Sequence, residues 1–219
     1  MNRRFIAAVG AVALALLTAG LAGLDGPLAR WIHASGYENA ALFRVPLEVF
    51  DHALGIHVWF WLAACVCIGL GLAGTLAGAR LPLPPRLAPT LLAAGLVQAG
   101  AIGLMILGKS SFGRLRPYQV LASGDWEQIW FMQGGSFPSG HSAFYFGLFL
   151  PLAAAAPRAW QRAALIAVPC FVVAARIDMA RHFLSDVAAS CVLAALLTRL
   201  AASLLRAREA RGAAVPASM

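Results

Sequence analysis

The sequence predicts an all-α polytopic membrane protein: a bundle of six membrane-spanning helices with an interfacial helix in its first outer loop. Three observations predict it. The 219-residue chain is 61% hydrophobic but only 12% charged, about half the charged share of a soluble domain. Its mean hydropathy is +0.77. Apolar runs close to the length that crosses about 30 Å of hydrocarbon recur along it. These features exclude a soluble globular enzyme, a disordered chain and a secreted disulfide scaffold. The four cysteines, Cys65, Cys67, Cys170 and Cys191, all sit in apolar runs and read as small buried hydrophobes.

The first run, 5–24, follows Arg3 and Arg4. It is long for a signal-peptide core and no Ala-x-Ala site closes it, so it reads as a span. Further spans are expected at 57–77, 87–108, 142–156, 159–175 and 183–205. Together they make one domain over 1–211, followed by a frayed Ala/Pro-rich tail at 212–219.

Lysine and arginine placement orients the bundle. With the N-terminus in the cytoplasm, Arg3, Arg4, Arg80, Arg86, Arg158, Arg162 and the arginines of 199–211 fall on the cytoplasmic side, opposed there by Glu209 alone. The outer segments balance seven basic residues against eight acids. The net charge of +8 is therefore a topology signal and not a nucleic-acid footprint. Both termini are expected in the cytoplasm of a bacterium, with the chain in its inner membrane.

Two outer segments are long. Phe43, Leu47, Phe50 and Leu54 recur at helical spacing and predict a helix lying along the outer interface, apolar side toward lipid. Trp126, Trp130 and Phe131 suit an aromatic belt at the membrane surface.

Ionisable groups gather at the outer ends of four spans. Lys109 closes the third span, with Arg116 just beyond; Ser139-Gly140-His141 opens the fourth; Arg176 closes the fifth; His182 and Asp186 open the sixth. Singly, each has a bland explanation: an interface anchor, a satisfied histidine, turn chemistry. Together they describe a site, because charges at the membrane edge are costly. Lys109, Arg116 and Arg176 converge without matching acids, which suits a phosphate-bearing ligand. Ser139 at a helix N-cap, beside Gly140, makes an anion cradle of the positive helix end. His182 and Asp186 are four apart and share a helix face, so the carboxylate can hold one ring nitrogen and free the other. His141 has no acid near it in sequence. One imidazole oriented by a carboxylate and one free imidazole suit a nucleophile and a general acid.

These residues resemble the type 2 phosphatidic acid phosphatase superfamily, which also includes the vanadium haloperoxidases. Its signature has three blocks: Lys, six residues, Arg-Pro; Pro-Ser-Gly-His; and Ser-Arg, five residues, His, three residues, Asp. Here they read Lys109 with Arg116-Pro117, Pro138 to His141, and Ala175-Arg176 with His182 and Asp186. The departure is Ala175, which lacks the serine hydroxyl. The resemblance implies a lipid phosphate phosphatase with His182 as nucleophile, His141 as general acid and Asp186 orienting His182. Lys109, Arg116, Ser139, Gly140 and Arg176 would bind the phosphoryl oxygens. It implies no metal and no cofactor, a lipid phosphate as substrate, the membrane as setting, and no obligatory protein partner. The site would face the periplasm. The 181–186 stretch is similar to that of bacterial lipid A phosphatases; undecaprenyl pyrophosphate, phosphatidylglycerophosphate and phosphatidic acid are the other candidates. A phosphotransferase to a lipid or sugar acceptor, and a non-enzymatic anion-binding membrane protein, are the competing readings.

Overall fold

A computed structural model describes residues 1–36, 40–78, 84 and 86–214, and no strand occurs among them. Glu38, Arg80 and the 215–219 end of the tail lie outside the described residues, as do the side chains of Glu209 and Arg211.

Helix α1 (Arg3–Ala19) begins at Asn2, whose side chain accepts the Phe5 N–H at 3.1 Å. A π-helical turn over Gly20–Leu24, with Gly23 at φ +130°, leads into α2 (Asp25–Ala34). A second such turn, Ala40–Arg44, precedes α3 (Val45–Ala53). Then come α4 (Leu62–Ala77), α5 (Leu87–Phe112), the short α6 (Pro117–Ser123), α7 (Gly140–Ala155), α8 (Ala159–Asp178) and α9 (Leu184–Ala214). The last helix thus runs three residues into the segment expected to fray.

Four stretches are long and apolar enough to cross a membrane: Arg3–Ala34, Leu87–Ser123, Ala159–Asp178 and Leu184–Arg208. The α4 and α7 helices are apolar but have 16 residues each, about 24 Å at 1.5 Å per residue. Large apolar side chains such as Val12, Leu70, Leu107 and Leu204 stand exposed on the bundle, as lipid-facing residues would.

At the centre lies α7, packed against α5, α8, α9 and α1. Its Phe144, Tyr145 and Leu150 are fully buried, in keeping with a helix that is apolar all round. The Gln98 amide on α5 donates to the Phe144 carbonyl at 3.2 Å, a polar tie between two apolar helices. Close approach of α4 and α5 depends on Gly95, where a Cβ would come within 2.7 Å of the Ala64 carbonyl oxygen. The Asn2 N–H donates to the Ala154 carbonyl at 2.6 Å, and Arg3 to the Ser203 hydroxyl at 3.1 Å. The start of α1, the end of α7 and the far part of α9 therefore share one end of the bundle. The start of α7 and of α9 lie at the other.

Three expectations are corrected. The 43–54 stripe turns to protein and not to lipid: Leu47 is buried, and Phe43, Phe50 and Leu54 pack on the core that holds Ile102, Tyr145 and Val172. Phe43 and Phe50 both meet Phe171 of α8, with centroids 5.7 and 6.0 Å apart. Trp126 and Trp130 form no free belt; they stack on Arg30 and Arg114 at 4.5 and 4.2 Å, leaving Phe131 exposed. Of the cysteines, Cys191 is buried, whereas Cys65 and Cys170 are exposed on helix faces.

Candidate active site

The three sequence blocks meet at the end of the bundle where α7 and α9 begin. Backbone bonds join them: the Ser139 N–H donates to the Asp186 carbonyl at 3.0 Å, and the Tyr118 N–H to the Ala180 carbonyl at 3.1 Å. The Ser190 hydroxyl donates to the Ser139 carbonyl at 2.8 Å. The first block is held by the 113–136 loop, where Leu115 N–H bonds the Ile129 carbonyl and Ser136 N–H the Arg114 carbonyl, each at 2.9 Å.

His182 sits in the turn between α8 and α9 and is buried. Its Nδ1 lies 3.7 Å from Asp186 Oδ2, longer than a hydrogen bond, and has no partner among the described residues. Burial pushes the imidazole down to about 4 against the pull of Asp186, so near neutral pH it is uncharged and able to act as a nucleophile. Asp186 is held on every side. Its Oδ1 accepts from Arg114 at 2.6 Å. Its Oδ2 accepts the Phe183 N–H at 2.7 Å and the Ser136 hydroxyl.

Arg114 is a residue that sequence reading missed. It is buried, bridges Asp186 and Asp25 (2.8 Å) and also donates to Ser185 Oγ at 2.6 Å. Its guanidinium lies between the rings of Trp130 and Phe183, 4.2 Å from each centroid. Asp25, at the start of α2, also accepts the Ser185 N–H at 3.0 Å. That contact needs Gly20, where a Cβ would lie 2.7 Å from Asp25 Oδ1 and 2.9 Å from the Ser185 nitrogen.

The three cations come together. Lys109 is within electrostatic range of Arg116, Arg176 and Asp186. Lys109 Nζ donates to the Gly135 carbonyl. Arg176 Nε is buried without a hydrogen-bond partner among the described residues. An unused guanidinium donor beside two further cations suits a phosphate-bearing ligand. No trio of His, Cys, Asp and Glu that could hold a metal occurs among the described residues.

Ser139 is the N-cap of α7, as its sequence context predicts, but its hydroxyl is engaged locally: Oγ accepts from Ser142 N–H at 3.4 Å and Ser142 Oγ at 3.0 Å. The first-turn N–H groups of Gly140 and His141 have no intrahelical acceptor by helix geometry and are the donors this turn leaves open. Ala175 is fully buried in the apolar core with Tyr145 and Val172, so its methyl serves packing.

His141 is not free, as its sequence neighbourhood suggests. Its Nε2 lies 3.1 Å from Asp51 Oδ2 on α3, and Asp51 Oδ1 accepts the Tyr145 hydroxyl at 2.7 Å. Lys109 and Arg176 are both within electrostatic range of His141 and of His182. A signal for Asp51 existed: it falls four residues after Leu47 and three before Leu54, on the buried face of an apolar stripe. An acid there must be paired.

A family model described as the PAP2 superfamily matches residues 88–210. No curated protein and no solved structure matches the chain significantly.

Proposed function

Because the chain belongs to the PAP2 superfamily, whose members are generally phosphatases, we propose that it is an integral-membrane phosphatase that removes phosphate from a lipid head group through a phosphohistidine. The observation that carries this reading is the gathering of Lys109 and Arg176 about two imidazoles, one beside Asp186 and one beside Asp51, with Arg116 within electrostatic range of both cations.

His182 attacks phosphorus through Nε2 while the bond to the leaving oxygen breaks, and His141 gives that oxygen a proton. Water then attacks the phosphohistidine, returns a proton to His141 and releases phosphate. The cations, with the N–H groups of Gly140 and His141, hold the phosphoryl oxygens as charge shifts among them.

A membrane lipid suits the setting. An apolar cleft of about 360 Å³ lies between α1, α7, α8 and α9, and Leu184 at its lining follows His182 by two residues. Leu184 also lines the small space beside His182, so the cleft offers an apolar face for an acyl chain close to the turn that carries the nucleophile. In this reading α4 and α7 cross a locally thin region and complete six spans, with the site periplasmic and both termini in the cytoplasm of a bacterial inner-membrane protein. The substrate preference runs from lipid A to undecaprenyl pyrophosphate, phosphatidylglycerophosphate and phosphatidic acid.

The test is phosphate release by purified protein from vesicles carrying each of these four lipids. Release is expected, greatest from lipid A. No release from any of them would sink the reading, and label arriving on a lipid or sugar acceptor would make the protein a phosphotransferase. Turnover is expected to survive excess EDTA, because arginine and lysine do the neutralising. Activity lost on chelation and restored by Mg²⁺ would contradict that mechanism.

A further inference from the structure

We propose that Asp51 is the positioning residue of the His141 acid, holding its Nε2 so that Nδ1 is the nitrogen that exchanges a proton with the leaving oxygen. The assignment rests on the phosphatase reading above.

Asp51 is a carboxylate with 4% exposure, brought to the site by an outer helix 90 residues from His141 in sequence. Both its oxygens are used, Oδ2 by His141 and Oδ1 by Tyr145. Burial alone would raise its carboxyl; the His141 bond and charge, the Tyr145 hydroxyl and the His57 charge outweigh that and hold it below the ordinary carboxylate value. Asp51 is therefore an anion with no proton of its own, and the proton shared with His141 sits on Nε2. The imidazole keeps Nδ1 for chemistry.

The proton balance follows. Imidazolium His141 passes its Nδ1 proton to the leaving oxygen as the P–O bond breaks, with the bonding pair staying on that oxygen. Neutral His141 remains bonded through Nε2–H to Asp51. In the second half-reaction Nδ1 takes a proton from the attacking water, which restores the imidazolium. The groups facing His141 are Lys109 from α5 and Arg176 from α8, which oppose its charged form, and Asp51 from α3, which favours it. Tyr145 on its own helix and His57 act on it through Asp51. Asp51 is thus the anion that favours the charged form of this acid against burial and the two cations.

The experiment compares Asp51→Asn and Tyr145→Phe with wild type, measuring kcat/KM against pH on an alkyl lipid phosphate and on p-nitrophenyl phosphate. Asp51→Asn is expected to lose about 100-fold on the alkyl substrate, where the leaving alkoxide needs the proton, and under about fivefold on the nitrophenyl ester. Its alkaline limb moves to lower pH, because the imidazolium has lost its anion. Tyr145→Phe keeps the carboxylate and removes a donor competing for it, so its limb moves to higher pH. Equal losses on both substrates with an unmoved limb, or no loss on either, would overturn the assignment. If Asp51→Asn does not fold, Tyr145→Phe decides alone: an upward limb supports the assignment, and an unmoved or downward one overturns it. Wild-type protein inactive on both substrates removes the phosphatase reading and this assignment with it; an active wild type with equal losses removes the assignment alone.

Discussion

His182→Ala traps no phosphoenzyme and loses turnover by at least about 10³-fold, the scale seen when a covalent nucleophile is deleted. The structure leaves His182 Nε2 for attack, since Nδ1 is the nitrogen turned toward Asp186 at 3.7 Å. His141, bonded through Nε2 to Asp51 and acting as the proton donor, is not expected to take over the attack. The measurement is a denaturing quench in alkali, where a phosphohistidine survives, with labelled lipid phosphate. His182 is only 3% exposed, so thermal unfolding of the variant must accompany it. A folded His182→Ala protein that still carries label on histidine would move the nucleophile elsewhere. Asp186→Asn is expected to keep the label but form it slowly, through loss of the anion that steadies the imidazole, by the logic of catalytic triads.

Arg114→Ala is expected to destabilise the protein by about 3–5 kcal/mol, because it leaves two buried carboxylates without their shared cation. Asp25 and Asp186 are 6% and 0% exposed, so water replaces the guanidinium poorly. For a chain of this size that corresponds to a thermal midpoint lower by roughly 10 °C. Removing one of the stranded charges should recover part of the loss, so Arg114→Ala with Asp25→Asn is expected to melt higher than Arg114→Ala alone. A single variant that melts within about 2 °C of wild type would show that the bridge contributes little. The double variant separates this account from simple loss of packing against Trp130 and Phe183, which Asp25→Asn could not restore.

Membrane character, helix positions and the three signature blocks were legible in the sequence because their signals are local. An apolar run is apolar wherever it packs, and two spans moved by only a few residues, 87–108 becoming Leu87–Phe112 and 159–175 becoming Ala159–Asp178. By contrast, 57–77 shortened to Leu62–Ala77, and 183–205 became Leu184–Ala214 because polar residues let a helix run past its apolar stretch. His182 and Asp186 are four residues apart in sequence, on either side of the start of α9, so their meeting needs little tertiary information. What joins helices was not legible. Arg114 reaches Asp186 across 72 residues and Asp25 across 89, and no spacing rule pairs residues so distant. The stripe at 43–54 predicted an amphipathic helix correctly but not its partner, because acyl chains and a protein core are equally good solvents for leucine and phenylalanine. Trp130 reads alike whether it meets headgroups or a guanidinium. The residues of the candidate chemistry were thus determined by sequence. Which carboxylate stands behind His141, and which cation behind Asp186, was decided only when the bundle closed, since a buried charge takes its partner from whatever the packing brings within about 3 Å.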